Sequence, residues 1–153
     1  MRFEVREDDF ANTQTRALLA LHLDGMRAHS PPSSVHALDL SGLQRPDMTV
    51  WTVWSEDRVA GVGALRRLDA HVGEVKSMRT HPDFLRQGVS AILLEHIIGH
   101  AKRLGLRRLS LETGSGPAFE PALALYRKRG FRNGEPFGDY AASDFNQFLH
   151  LPV

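Results

Sequence analysis

"THPDFLRQGVSAILL", Thr80 to Leu94, decides how the rest of the chain is read. A strand-like run enters it, and a Pro and a polar turn interrupt it. After the lone Gly88, apolar residues recur with helical spacing at Val89, Ile92, Leu93, Ile97, Ala101 and Leu104. Gly105 follows where a helix C-terminus takes a residue tolerant of positive φ. A glycine at the mouth of such a helix lets the chain turn tightly and leaves the first backbone N–H groups uncovered. Uncovered N–H groups at a helix start attract anions.

Working outward, "MTVWTVWSEDRVAGVGALRRLDAHVGEVKSMRT" alternates apolar and polar residues over three runs broken at Glu56-Asp57 and Ala70-His71. This pattern predicts an antiparallel meander whose third strand covers about Glu74 to Thr80. "RRLSLET" beyond the helix is a further strand, so the two strands and the helix between them form a β-α-β unit, parallel and right-handed. "PALALYRKRGF" reads as a second helix stopped by Gly130, and "NQFLHLPV" as a last strand closing the sheet. Near the N-terminus Phe3 and Val5 alternate with charges as a short strand. Asp8 or Asp9 is placed to cap a helix carrying Leu18, Leu19, Leu21, Leu23 and Met26 and ending near His29. "SPPSSVHALDLSGLQRPD" has the Pro and Ser density of a loop, with one short helix in "HALDLSGL".

The 153 residues suit a single domain spanning 1–153, and 42% hydrophobic with 24% charged residues is an ordinary globular balance. Lys+Arg 19 against Asp+Glu 18 leaves a net charge of +1, too even to grip nucleic acid or an anionic membrane. No cysteine is present, which excludes disulfides, thiolate metal sites and a cysteine nucleophile. "MRFEVREDDF" has no continuous apolar run, so no signal peptide is expected and a cytoplasmic location is.

The order strand, "HPDFLRQGVSAILL", long helix, "LSLET", then a helix ending "LYRKRGF" resembles the GNAT superfamily of N-acetyltransferases over most of the chain from about Val50. The resemblance implies an α/β (mixed α+β) fold: a central, mostly antiparallel twisted sheet with a splayed parallel strand pair and helices on both faces. It implies acetyl-coenzyme A as co-substrate, no metal, and direct attack by a primary amine in a ternary complex. The family's phosphate loop, (R/Q)-x-x-G-x-(G/A), falls on Leu85, Arg86, Gln87, Gly88, Val89 and Ser90, with Ala91 next. Only the central Gly matches strictly, since Leu85 replaces Arg or Gln and Ser90 replaces Gly or Ala. Backbone N–H groups hold the pyrophosphate in this family, so binding is expected to survive these departures.

By the same resemblance Met78, Arg79 and Thr80 pair with the pantetheine arm as an added strand, the Met78 N–H facing the thioester oxygen. Tyr126 matches the tyrosine that protonates the leaving thiolate; the alternative is a core tyrosine on an amphipathic helix. Phe119 lies where the family often has an Asn touching the cofactor. Glu74 and Glu112 are both candidates for the base that takes the amine's proton, directly or through water. "ETG" at 112–114, "PPSSVHALDL" and "PFGDY" look like a branch acting on small molecules, in which Ser33, Ser34, His36, Arg79 and Tyr140 would line the acceptor pocket. Arg79 would be available there for a substrate carboxylate. Protein N-termini or lysines, and a non-catalytic acyl-coenzyme A binding module, are the alternatives; a homodimer is compatible with such folds.

Three other signals are set aside. His96 and His100 have zinc-pair spacing, but Ile97 stands where H-E-x-x-H needs Glu. "TGSGP" has Thr113 where a nucleophile elbow around Ser115 needs Gly. Lys102, Arg103, Arg107 and Arg108 form a short basic cluster without interleaved aromatics, suited to a solvated helix end or to a cofactor phosphate.

Overall fold

Alternation at period two with polar two-residue turns dictates paired antiparallel strands. In the computed structural model, which describes residues 2–153, they appear as β1 (Glu4–Glu7), β2 (Met48–Ser55), β3 (Arg58–Arg67) and β4 (Val72–Thr80). Helix α1 (Thr13–His29) separates β1 from the meander, and the short α2 (Leu40–Leu43) lies in the Pro- and Ser-rich loop. The long helix α3 (Val89–Arg103) follows β4 and leads to β5 (Arg108–Thr113). Helix α4 (Glu120–Arg129), the two-residue β6 (Arg132–Asn133) and β7 (Gln147–Pro152) complete the chain.

One seven-stranded sheet runs in the order β1-β2-β3-β4-β5-β7-β6. Every neighbouring pair is antiparallel except β4 and β5. The α1 face buries Leu18 and Leu19 with Val62 and Ala64 of β3. A second, larger cluster packs Leu93, Leu94, Ile97 and Ile98 of α3 and Leu123 of α4 against Leu65, Val75, Leu109 and Leu111. Ile97 is fully buried, so Ile97→Ala would leave a cavity costing about 2–5 kcal/mol. The expected fold class is the one observed, and no helix among the described residues is long and apolar enough to cross a membrane.

Local chemistry corrects two expectations. The side chain of Asn12, not that of Asp8 or Asp9, caps α1 by accepting the Gln14 N–H at 2.7 Å. Asp8 instead accepts from the hydroxyls of Thr15 (2.9 Å) and Thr52 (3.0 Å), tying α1 to β2. The third meander strand starts at Val72, two residues before the expected Glu74.

Two irregularities shape the centre of the sheet. Parallel pairing of β4 with β5 covers only Val72↔Arg108, Gly73↔Leu109 and Glu74↔Ser110; beyond Glu74 the strands part, while β5 stays with β7 as far as Thr113↔Gln147. On its other edge β4 carries a bulge. Val62 faces Arg79 and Ala64 faces Lys76, so three steps along β4 match two along β3. Ser77 takes up the extra residue at φ +57, and its hydroxyl is buried with no hydrogen-bond partner.

Candidate active site

The parted strands open a cleft of about 840 Å³ that extends from the α3 start to the α1 wall. At the first end the β4 chain leaves through a short 3-10 turn, Pro82–Phe84, and reaches α3 through Leu85 to Gly88. Gly88 is the N-cap of α3 at φ +81, a conformation in which a side chain is strained. No side chain caps this helix, and the space where a Gly88 Cβ would stand is empty to 4 Å. Uncovered N–H groups therefore meet open room, the geometry an anion such as a pyrophosphate requires. Leu85, Arg86, Gly88, Val89, Ser90 and Ala91 all line the cleft, whereas Gln87 is exposed outside it. Ser90 and Thr80 share a 2.5 Å hydroxyl contact that ties the helix start to the end of β4.

The β4 wall presents Val75 to Thr80 along the edge that β5 has left. Because of the bulge, Lys76 and Arg79, three residues apart, both lie on the α1 face, opposite Ala64 and Val62. Glu74 precedes them on that face and is almost fully buried. Its carboxylate accepts from Lys76 Nζ at 3.2 Å and from the Tyr140 hydroxyl at 2.5 Å, and Lys76 also donates to the Tyr140 oxygen at 2.7 Å. Burial, reinforced by the Glu74 charge, pushes the Tyr140 hydroxyl far above the ordinary tyrosine range. The three groups form a closed network in which each satisfies the others.

Glu112 stands differently. It lies two residues beyond Ser110 on β5, hence on the same face as Glu74, and it lines the cleft. Its carboxylate finds no hydrogen-bond partner among the described residues. Burial pushes it up to about 7, with Lys76 opposing the rise and Glu74 adding to it. A carboxyl poised there exchanges protons readily at neutral pH.

Tyr126 comes from α4, with its ring edge-on to Phe131 at 5.6 Å. The residue is 6% exposed, so its ring is a core element, yet it also lines the cleft. Burial pushes its hydroxyl well above the ordinary tyrosine range. Phe119 lines the same side, edge-on to Phe145.

The expected acceptor residues divide. His36 and Arg79 line the cleft; Tyr140 backs the wall, edge-on to His36 at 5.0 Å; Ser33 is exposed and Ser34 buried in the Pro32–Ser34 turn, and neither reaches the cleft. Lys76 and His22 went unnoticed in the sequence. Lys76 could have been found as a lone cation inside a buried alternating strand; nothing local marks His22.

Among the signals set aside, His96 and His100 stack edge-on to Trp51 at 5.5 and 4.9 Å, and no metal-binding cluster exists among the described residues. Ser115 accepts from Gln147 at 2.9 Å. Lys102 and Arg103 close α3 at the end opposite Gly88, about 20 Å away by helix rise, so they cannot serve the anion site.

Comparison with known proteins agrees with this geometry. Residues 15–131 match the family model described as the Acetyltransferase (GNAT) family. The chain is 46% identical to the uncharacterized N-acetyltransferase YedL of Escherichia coli (strain K12), covering 99% of this chain and 95% of that protein. It is also 46% identical to the uncharacterized N-acetyltransferase YsnE of Bacillus subtilis (strain 168), covering 95% and 96%. Among solved structures, a GNAT family acetyltransferase of Elizabethkingia anophelis with acetyl-CoA bound superposes with a TM-score of 0.72 at 18% identity, over 99% of this chain and 98% of that one.

Proposed function

The chain belongs to the acetyltransferase (GNAT) family, and from that premise we propose that it acts as a single domain moving an acetyl group from acetyl-coenzyme A to a primary amine of a small molecule. The observation that carries this reading is the cleft between β4 and β5, with an open, uncapped helix start at one end and an unpartnered carboxyl near neutrality on its wall. The fold neighbour from Elizabethkingia anophelis was solved with acetyl-CoA, which supports the same ligand here.

Acetyl-coenzyme A supplies the activated acyl group, and the chain supplies the rest. The N–H groups from Gly88 to Ala91 receive the pyrophosphate, and the unpaired edge of β4 runs beside the pantetheine arm. The bulge interrupts the β3–β4 ladder where Ser77 and Met78 line the cleft, which suits the Met78 N–H to the thioester oxygen as negative charge develops there. Such a fixed donor is worth about 3 to 4 kcal/mol.

Glu112 takes the proton from the ammonium form of the acceptor, directly or through water. Glu74 is unsuited to this role because its carboxylate is committed to Lys76 and Tyr140. As the new C–N bond forms and the C–S bond breaks, the Tyr126 hydroxyl donates its proton to sulfur, and the second proton, shed by the nitrogen as it becomes an amide, returns to the tyrosine oxygen through water. Burial keeps the hydroxyl protonated for this step, but it also makes the hydroxyl a weaker acid than the thiol it serves, so its share of the rate is small.

Thermal melting with acetyl-coenzyme A at ~100 times its dissociation constant tests the binding half. Stabilisation of about 2.7 kcal/mol is expected, a shift of roughly 5–10 °C for a chain of this size. No shift sinks the proposal. A shift without free-thiol release from any primary amine would leave a binding module instead of an enzyme.

A further inference from the structure

Arg79 is a cation without a counterion. Its guanidinium is half-buried on the α1 side of the cleft, and no carboxylate pairs with it among the described residues; burial alone acts on its pKa, pulling it down. A half-buried positive charge is costly unless something compensates it, and a fixed, unpaired one on a cleft wall is built to meet an anion.

The way Arg79 is held leaves one particular edge free. Its Nε donates to His22 Nδ1 at 3.0 Å, and its Nη2 reaches the His22 carbonyl oxygen at 3.5 Å. Burial first, then the charges of Arg79 and Lys76, pull His22 down to about 3, so its ring stays neutral and Nδ1 remains an acceptor. Guanidinium has five N–H donors in a planar fork. The Nε–Nη2 edge is spent on His22, and the Nη1–Nη2 edge remains for two oxygens of one planar anion. Gly25 makes this placement feasible, because Nη2 lies only 2.8 Å from where a Cβ at that position would stand. Any larger residue there would push the guanidinium off the helix.

Across the cleft the same face carries Glu112, while the other ionised groups of the β4 wall, Lys76 and Glu74, neutralise each other, and Arg86 lies apart at the phosphate end of the cleft. The wall therefore offers one free fork for an anion and one free carboxyl for an ammonium group. We propose that the acceptor is an amine that also carries a carboxylate, bound in bidentate fashion by the Nη1–Nη2 edge of Arg79, which makes Arg79 the residue that selects it. This inference rests on the acetyltransferase reading of the cleft and names the substrate class within it.

The test uses the common amino acids and their carboxamides as matched acceptors, with acetyl-coenzyme A and free-thiol release as the readout. Acids should exceed their own amides in kcat/KM by about 10- to 100-fold, the value of a charge-assisted pair. In Arg79→Gln that ratio should collapse toward one. Arg79→Lys, which keeps the charge but loses the fork, should give an intermediate ratio. Gly25→Ala should also lower the ratio while leaving the Arg79 side chain intact, which guards against a misfolded Arg79 variant. An acid-to-amide ratio unaffected by Arg79→Gln, or release confined to carboxylate-free amines, overturns the carboxylate assignment and leaves the transferase standing. No release from either series, with no melting shift from acetyl-coenzyme A, overturns both.

Discussion

Where β4 and β5 are still paired, at Glu74, the molecule buries a carboxylate and surrounds it with partners; two residues further along β5, where the strands have parted, it leaves Glu112 alone. Both face the same side of the sheet. The difference lies in what the neighbouring chain supplies. Lys76 and the Tyr140 segment close over Glu74 and convert it into structure, whereas no described residue hydrogen-bonds Glu112, so burial outweighs the opposing Lys76 charge there. A carboxylate with partners on both sides is held in place by them, while an unsatisfied one near neutrality is free to trade its proton. Closeness in sequence and space therefore does not make two acidic residues equivalent; their partners do.

The largest expected effect breaks the Glu112 side. Glu112→Gln should lower kcat by about 100- to 10,000-fold, the usual share of general acid–base catalysis. It should also remove the limb of the pH–rate profile that rises with a midpoint near 7 in the parent protein. Stability should move the other way. Glu112 is raised in the folded state from 4.5 to about 7, so the unfolded chain gives up this proton first. The parent loses stability as pH rises through that window and carries the full penalty above it. Melting at pH 8 should show Glu112→Gln more stable than the parent, and at pH 4 no such advantage.

Breaking the Glu74 side should produce the opposite pattern. Glu74→Gln leaves the Lys76 charge buried without its counterion, at a cost of about 3–5 kcal/mol. The melting temperature should fall by roughly 10 °C, with kcat reduced far less than in Glu112→Gln. A large loss of kcat with unchanged melting would reverse the two assignments. Tyr140→Phe, which removes one donor to Glu74, should cost a smaller 1–3 kcal/mol, roughly. The smallest effect concerns the other end of the cleft: Leu85, exposed where the family places Arg or Gln, can become Leu85→Arg with a gain in acetyl-coenzyme A affinity of about 1 kcal/mol or less. Calorimetry would check it, and a large loss of affinity would show that the loop register is misplaced.

The same contrast explains what was legible in the sequence. Turn dipeptides, the period-two meander and the helical spacing after Gly88 are local signals, and they gave the element order and the parallel pair. Gly88 was legible because a backbone requirement forces one residue type. The partners that separate Glu74 from Glu112 were not, since Tyr140 lies 66 residues from Glu74 and His22 lies 57 from Arg79. No local pattern encodes such distances. The choice of Asn12 over Asp8 as helix cap turned on Thr15 and Thr52 claiming Asp8. Ser33 and Ser34 looked plausible by composition, but the turn they occupy keeps one outside and buries the other.

The bulge in β4 also misleads any reader who counts by twos, since alternation would put Lys76 and Met78 on one side and Arg79 on the other. Ser77 takes a step that the partner strand does not, and after it odd numbers take the face that even ones held before. A non-glycine residue at positive φ costs about 1–3 kcal/mol, and its hydroxyl is buried unanswered besides. Excising Ser77 would bring β3 and β4 back into step with Lys76 and Arg79 still opposite Ala64 and Val62. Deletions inside a central strand ordinarily ruin a protein; this one would mend the sheet and remove the break in the ladder where β4 lines the cleft.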